Sequence, residues 1–246
     1  EEDIMDFLTM ELKEQERVYV VTMNYKKENR FNPAMIGEMM ECLDIIEKDD
    51  RAGAVVFTGG DPKFFSNGLD LEHIMMNIAS PDKIVDYLKQ VNGMFKRVTL
   101  YPKPTVAALN GHTFAAGLFL AAHMDFRFMR EDRGWICAPE IDINIPFLPG
   151  MIAICRAVMP PASFHRLYYT GGRFTGPEAL NMGFVEAVYP EDQLIPKSVE
   201  FAAALAKKKT KTYAEMKKRI REEVVAALDE KDPQHFMATL KFSMPG

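Results

Sequence analysis

Cysteine is scarce and scattered. Cys42, Cys137 and Cys155 share no CxxC spacing, which argues against a disulfide framework or a thiolate metal knot and points to reduced thiols in a cytosol-like compartment. The five histidines form no HExxH or comparable ligand spacing, so no metal site is expected. GxGxxG, GxxxxGK[ST] and GxSxG are all missing, which removes the usual signatures of a dinucleotide fold, a P-loop and a nucleophile elbow. No apolar run approaches the roughly 18 residues of a membrane span. An excess of positive charge is lacking too: the formal net charge is −5, which argues against non-specific nucleic-acid binding. The acidic start EEDIMDFLTM resembles neither a secretory signal nor an Arg-rich transit peptide, and the final SMPG is not the peroxisomal tripeptide. A cytoplasmic location is therefore expected, although the missing initiator Met leaves room for a trimmed terminus.

What is present is enough for a full core, with 246 residues of which 48% are hydrophobic. Strands are expected at Leu8 to Leu12, Arg17 to Asn24 and Ala54 to Thr58. Between the last two, Asn32-Pro33 opens a helix carrying Met35, Met39, Cys42, Leu43 and Ile46 at helical spacing. A loop, KFFSNGLDL, runs from Lys63 to Leu71, and Pro81 to Leu100 forms an amphipathic helix. Phe126 to Met129 and Trp135 to Ala138 read as strands, Pro139 to Gly150 as irregular, and Met151 to Met159, Ser163 to Thr170 and Pro177 to Met182 as short helices. A last strand is expected at Phe184 to Tyr189 and one helix from Ser198 to Leu228, whose basic run reads as a solvated face. Short strands alternating with helices give an α/β class with an all-helical end, and no repeat period is visible.

Three places point to chemistry. In PTVAALNGHTFAAGLFLAAHMD, residues 104–125, a buried strand ends at Asn110-Gly111 and a helix from Thr113 to His123 follows. Ala115, Ala116 and Gly117 leave that helix start bare, so its unpaired N–H groups can bind an oxyanion, or simply pack closely on a sheet. In Phe65-Ser66-Asn67-Gly68-Leu69-Asp70 the glycine permits a turn that can aim the Leu69 N–H into a cavity. In Pro139-Glu140-Ile141 a carboxylate sits among Ile136, Ala138, Ile143, Pro146, Phe147 and Leu148. Apolar neighbours make it more basic and a candidate general base, unless it is a surface glutamate capping the next helix.

These segments, KFFSNGLDL with PTVAALNGHTFAAG and APEIDINIPFLPG, resemble the signatures of the crotonase (enoyl-CoA hydratase/isomerase) superfamily from about Val18 to Val188. The resemblance implies a spiral of β-β-α turns over residues 1–195, with a helical trimerisation region over 196–246. It further implies an acyl-CoA substrate, a homotrimer or dimer of trimers, and no cofactor beyond the coenzyme A moiety of the substrate. By position, Leu69 and Ala116 would donate their amides to the thioester oxygen. Lys27, Arg30, Asn67 and Gly68 would line the coenzyme groove, and Met75, Phe119, Phe147 and Leu148 would wall the acyl pocket.

The family's hydratases carry two glutamates, and here the first of those positions is Phe119 while Glu140 remains. One carboxylate without a second acid suits moving a proton from C2 of a 3-enoyl thioester to C4 better than adding water. With RFNP and FMREDRG, the pattern is most similar to the Δ3,Δ2-enoyl-CoA isomerase branch of plant peroxisomal type. Hydration, thioester hydrolysis or dehalogenation using Glu140 or Asp142, and an idle acyl-CoA-binding subunit, are the alternatives.

Overall fold

The computed structural model of the chain describes residues 2–77 and 80–243. Its first three strands, β1 (Glu2–Ile4), β2 (Leu8–Lys13) and β3 (Val18–Met23), form an antiparallel meander. Helix α1 (Pro33–Lys48) starts where Asn32 accepts a hydrogen bond from the Met35 N–H at 2.8 Å, with Pro33 at the first helical position. Its buried face is the periodic set read from sequence, Met35, Met39, Cys42, Leu43 and Ile46, joined by Ile36.

From there the chain repeats one pattern. β4 (Ala54–Gly59) is followed by β5 (Phe64–Ser66) and the helices α2 (Leu71–Asn77) and α3 (Pro81–Thr99). β6 (Thr105–Leu109) is followed by β7 (His112–Phe114) and α4 (Ala116–His123). β8 (Phe126–Arg130) is followed by β9 (Ile136–Cys137), a 3₁₀ turn at Pro139–Ile141 and α5 (Pro149–Val158). The first strand of each unit adds in parallel to a seven-stranded sheet ordered β1-β2-β3-β4-β6-β8-β10, and the second adds to a separate parallel sheet ordered β5-β7-β9. This is the expected spiral of β-β-α turns. Strands such as AVVFTG and TVAAL are buried along their whole length, as parallel strands covered on both faces must be.

Helices α6 (Pro161–Thr170) and α7 (Gly176–Asn181) lead to β10 (Ala187–Tyr189), which pairs with β8. The end is helical, with α8 (Glu191–Ala206), α9 (Thr210–Ile220), α10 (Glu222–Ala226), a π turn at Ala227–Lys231 and α11 (Asp232–Ser243). Among the described residues no helix is long and apolar enough to cross a membrane.

Several expectations need correction. Thr113 lies in β7, and the helix begins only at Ala116, because the His112–Phe114 segment pairs with β5 on one side and β9 on the other. The single helix expected from Ser198 to Leu228 starts earlier, at Glu191. It is also broken after Ala206 and again at Arg221, so that the basic run can turn back and bury Lys217 against Asp125, at 2.9 Å. A boundary at 195/196 falls inside α8. That helix presses Leu194, Val199, Ala202 and Ala206 onto Val18, Ala54, Val56, Val106 and Ala108 of the large sheet, so it belongs with the sheet's core. The final strand occupies only Ala187–Tyr189 of the expected Phe184 to Tyr189.

Candidate active site

Three parallel strands ending on one edge bring the catalytic candidates together. Ser66 closes β5, Phe114 closes β7 and Cys137 closes β9, and register pairs Ser66 with Thr113 and Phe114 with Cys137. Leu69, Ala116 and Glu140 each follow within three residues of those strand ends, the edge where parallel sheets place their ligands.

The two amide loops touch. Gly68 has φ +88°, and a Cβ built on it would lie 3.1 Å from the Ala116 nitrogen and 3.0 Å from the Ala115 Cβ. Only a residue without a side chain can bring the turn so close. The Gly68 carbonyl accepts from the Phe31 N–H at 2.8 Å, and the Asp70 N–H donates to the Phe31 carbonyl at 2.9 Å. Leu69 is thereby clamped between two fixed neighbours while its own N–H finds no acceptor among the described residues. The Ala116 N–H, first in α4, is likewise unclaimed, as a helix start requires. Two free donors at a helix start are what an oxyanion can use.

Ala115 stands at φ +49°, ψ −124°, a conformation an L side chain rarely takes. Such strain persists only where the surroundings impose it, and here the Ala115 N–H is tied to the Cys137 carbonyl at 3.0 Å. Ala115→Gly is expected to raise stability by about 1 kcal/mol, seen as a higher thermal midpoint, while the backbone keeps its course. A lower midpoint would contradict this account of the strain.

Glu140 is 5% exposed, in the 3₁₀ turn after β9. Burial pushes its carboxyl up to about 7, opposed by one backbone hydrogen bond, and its Oε2 has no partner among the described residues. Cys137, Cys155 and Tyr168 lie within electrostatic reach of it, and the Tyr168 hydroxyl is engaged, donating to the Met151 carbonyl at 2.6 Å. A carboxyl kept near neutrality without a cationic partner is the state a general base needs. Asp142, the rival, is exposed and sits against the Gly171 turn, where a Cβ would meet its Oδ2 at 2.5 Å.

Next to the turn that carries Glu140 opens a cavity of about 340 Å³, lined by Ile141, Ile145, Phe147, Ile152 and Tyr168 among others. Phe119, fully buried, meets Phe147 edge-on at 6.2 Å and Tyr168 at 6.4 Å, and Phe147 packs on Tyr168 at 4.1 Å. Leu148 is buried at the start of α5. Of the four expected wall residues only Phe147 lines the cavity; Phe119 and Leu148 are buried outside its lining, and Met75 does not join it either. It is 79% exposed on α2, whose short amphipathic turn leaves it facing outward.

The expected coenzyme-binding residues gather on the other side of the Gly68 turn. Arg30 and Asn67 share the Glu28 carboxylate, at 2.5 and 3.2 Å, and the Asn67 N–H donates to the Glu28 carbonyl at 2.8 Å. Lys27 is exposed beside them with φ +61°. Asn29, fully buried at φ +48°, fastens this loop to β5 by donating to the Phe65 carbonyl at 3.0 Å. Sequence reasoning missed Asn29, Tyr168 and Cys155. Asparagine tolerates the left-handed region, the one signal available for the first. Among the described residues no group of three His, Cys, Asp or Glu could hold a metal ion.

The sequence profile described as enoyl-CoA hydratase/isomerase matches residues 13–241. The chain is 33% identical over 220 residues to enoyl-CoA delta isomerase 2, peroxisomal, of Arabidopsis thaliana, covering 86% of this chain and 91% of that one. It is 30% identical over 221 residues to enoyl-CoA delta isomerase 3 of the same plant, covering 86% and 92%. The solved structure of human mitochondrial delta3-delta2-enoyl-CoA isomerase superposes with a TM-score of 0.89 at 24% identity, over 95% of this chain and 91% of that one, a likeness of fold.

Proposed function

The chain belongs to the enoyl-CoA hydratase/isomerase family, and from that premise we propose that it is a Δ3,Δ2-enoyl-CoA isomerase with a single proton shuttle. The thioester oxygen accepts hydrogen bonds from the Leu69 and Ala116 N–H groups. Glu140, as carboxylate, takes a proton from C2. The electron pair spreads over the thioester and the C3–C4 double bond as a dienolate, whose negative oxygen rests on the two amides. Glu140 then returns the same proton to C4, and the double bond is left at C2–C3. No atom is gained or lost, so the reaction calls for no group beyond the coenzyme A moiety of the substrate. Lys27, Arg30, Asn67 and Gly68 would hold that moiety, and the cavity behind Phe147 would take the acyl chain. Assembly as a trimer or dimer of trimers is part of the same reading, and light scattering on the purified protein measures it.

The observation that carries the reading is that Glu140 is buried, orphaned and basic, while the place of a second acid is filled by Phe119 packed on Phe147. Hydration needs one group to activate water and another to deliver a proton. An aromatic ring does neither. Incubated separately with a 3-enoyl-CoA and a 2-enoyl-CoA, the protein is expected to convert the first to its 2-isomer and to form 3-hydroxyacyl-CoA from the second at least about 100-fold more slowly. Fast hydration would reject the isomerase in favour of a hydratase, and acyl-CoA binding without turnover would leave an idle subunit.

A further inference from the structure

At the opposite, N-terminal edge of the three-stranded sheet lies a cavity of about 400 Å³ lined by Lys63, His112, Arg133, Trp135 and the rim acids Glu131 and Asp132. His112 opens β7 and is 9% exposed, and its Nδ1 has no partner among the described residues. Its ring stacks on Trp135 at 4.7 Å and 17°. Trp135 is itself 37% exposed, with the Arg173 guanidinium over its ring at 5.7 Å. Among the described residues Lys63, Arg133 and Arg173 form no ion pair. The charged groups acting on the imidazole are these three cations, which add to burial in disfavouring its protonation. The acids offset them only in part, Asp132 acting on Arg133 and Glu28 on Lys63. Asp132 is held by Arg130 at 2.7 Å, and Glu131 is exposed on the rim.

Three exposed cations converge on a cavity whose buried imidazole has no partner for its Nδ1 among the described residues, and an anion would answer both the charge and the free ring nitrogen. We propose that this cavity binds a small phosphate-bearing anion, with Arg133, Arg173 and Lys63 meeting its oxygens and His112 at its floor. Guanidinium groups suit phosphate because their planar forks match its geometry. The site is separate from the Glu140 edge, since it lies at the other end of strands β5, β7 and β9.

Trp135 is the sole tryptophan, so its fluorescence reports on this cavity alone. The full chain is titrated with pyrophosphate and, separately, with adenosine monophosphate, at constant ionic strength maintained by sodium chloride. A saturable change is expected with pyrophosphate. Tighter saturation by the nucleotide would show that a planar ring adds contacts, and equal or weaker saturation would show that the phosphate alone is recognised. The double variant Arg133→Gln, Arg173→Gln, both exposed positions, is expected to fold and to weaken binding by about tenfold or more. Lys63 is left intact because it also acts on Glu28. No saturable change, the same change with chloride, or undiminished binding by the folded double variant would overturn the proposal. So would a fluorescence change that follows protein concentration instead, which would give this face to a second copy of the chain.

Discussion

Glu140→Gln is expected to lower turnover of a 3-enoyl-CoA by about 10² to 10⁴-fold with little change in substrate binding. The amide has the size and place of the carboxyl but cannot carry a proton from C2 to C4. In the unsubstituted protein, kcat/KM should climb as pH rises through about 7, where the buried carboxyl ionises, and then level off. A stability measurement gives an independent check. The folded-state pKa lies above the ordinary carboxyl value of 4.5, so the folded chain binds the proton more tightly than the unfolded one. The associated stability is fully present below pH 4.5 and is lost as pH rises through 7. At pH 8 the Gln variant, which has no charge to bury, should therefore be more stable than the parent by roughly 2–3 kcal/mol. A variant that is slower and more stable at alkaline pH identifies a base held in an unfavourable place for its chemistry. Full activity in the Gln variant, or a rate flat from pH 5 to pH 9, would remove Glu140 from the reaction.

Gly68→Ala should do comparable damage from the other side of the substrate. A methyl group there meets the Ala116 nitrogen at 3.1 Å and the Phe114 carbonyl at 3.2 Å, on a backbone at φ +88°. The turn must rotate or retreat, and in either case the Leu69 and Ala116 amides no longer converge. Loss of one such donor typically costs about 10² to 10³-fold in kcat, and the forced left-handed alanine costs about 1–3 kcal/mol of stability. Calorimetry should still detect coenzyme A, though more weakly, since Asn67 and Gly68 move while Lys27 and Arg30 lie off the displaced turn. A folded Gly68→Ala protein turning over within about threefold of the parent would show that these amides do not stabilise the developing charge.

Much of this was legible in the letters. Continuous apolar runs marked β3, β4 and β6, and Asn32-Pro33 marked the start of α1. The apolar company of Glu140 in the sequence is enough to expect a basic carboxyl. The small sheet was harder to read. His112–Phe114 and Ile136–Cys137 are too short to show a period of two, so Thr113 and Phe114 read in the sequence as the start of the helix that follows them. The β-β-α repeat is one of topology, with units of unequal length and unlike residues, and leaves no period in the sequence. Tyr168 and Cys155 reach Glu140 from α6 and α5, which no local pattern reveals. Met75 shows the limit of composition, since an apolar residue near a site need not face it.

The strands that lead to Leu69, Ala116 and Glu140 belong to three successive coils, each of which also sends a strand to the large sheet. No single coil holds two of the three groups, so no fragment shorter than the stack should retain a diminished form of the reaction. The outer helices, by contrast, hang from the coils without linking the three groups. Changes in the loops there are expected to leave the distance between amides and acid unaltered, since the stacking of one coil on the next sets it.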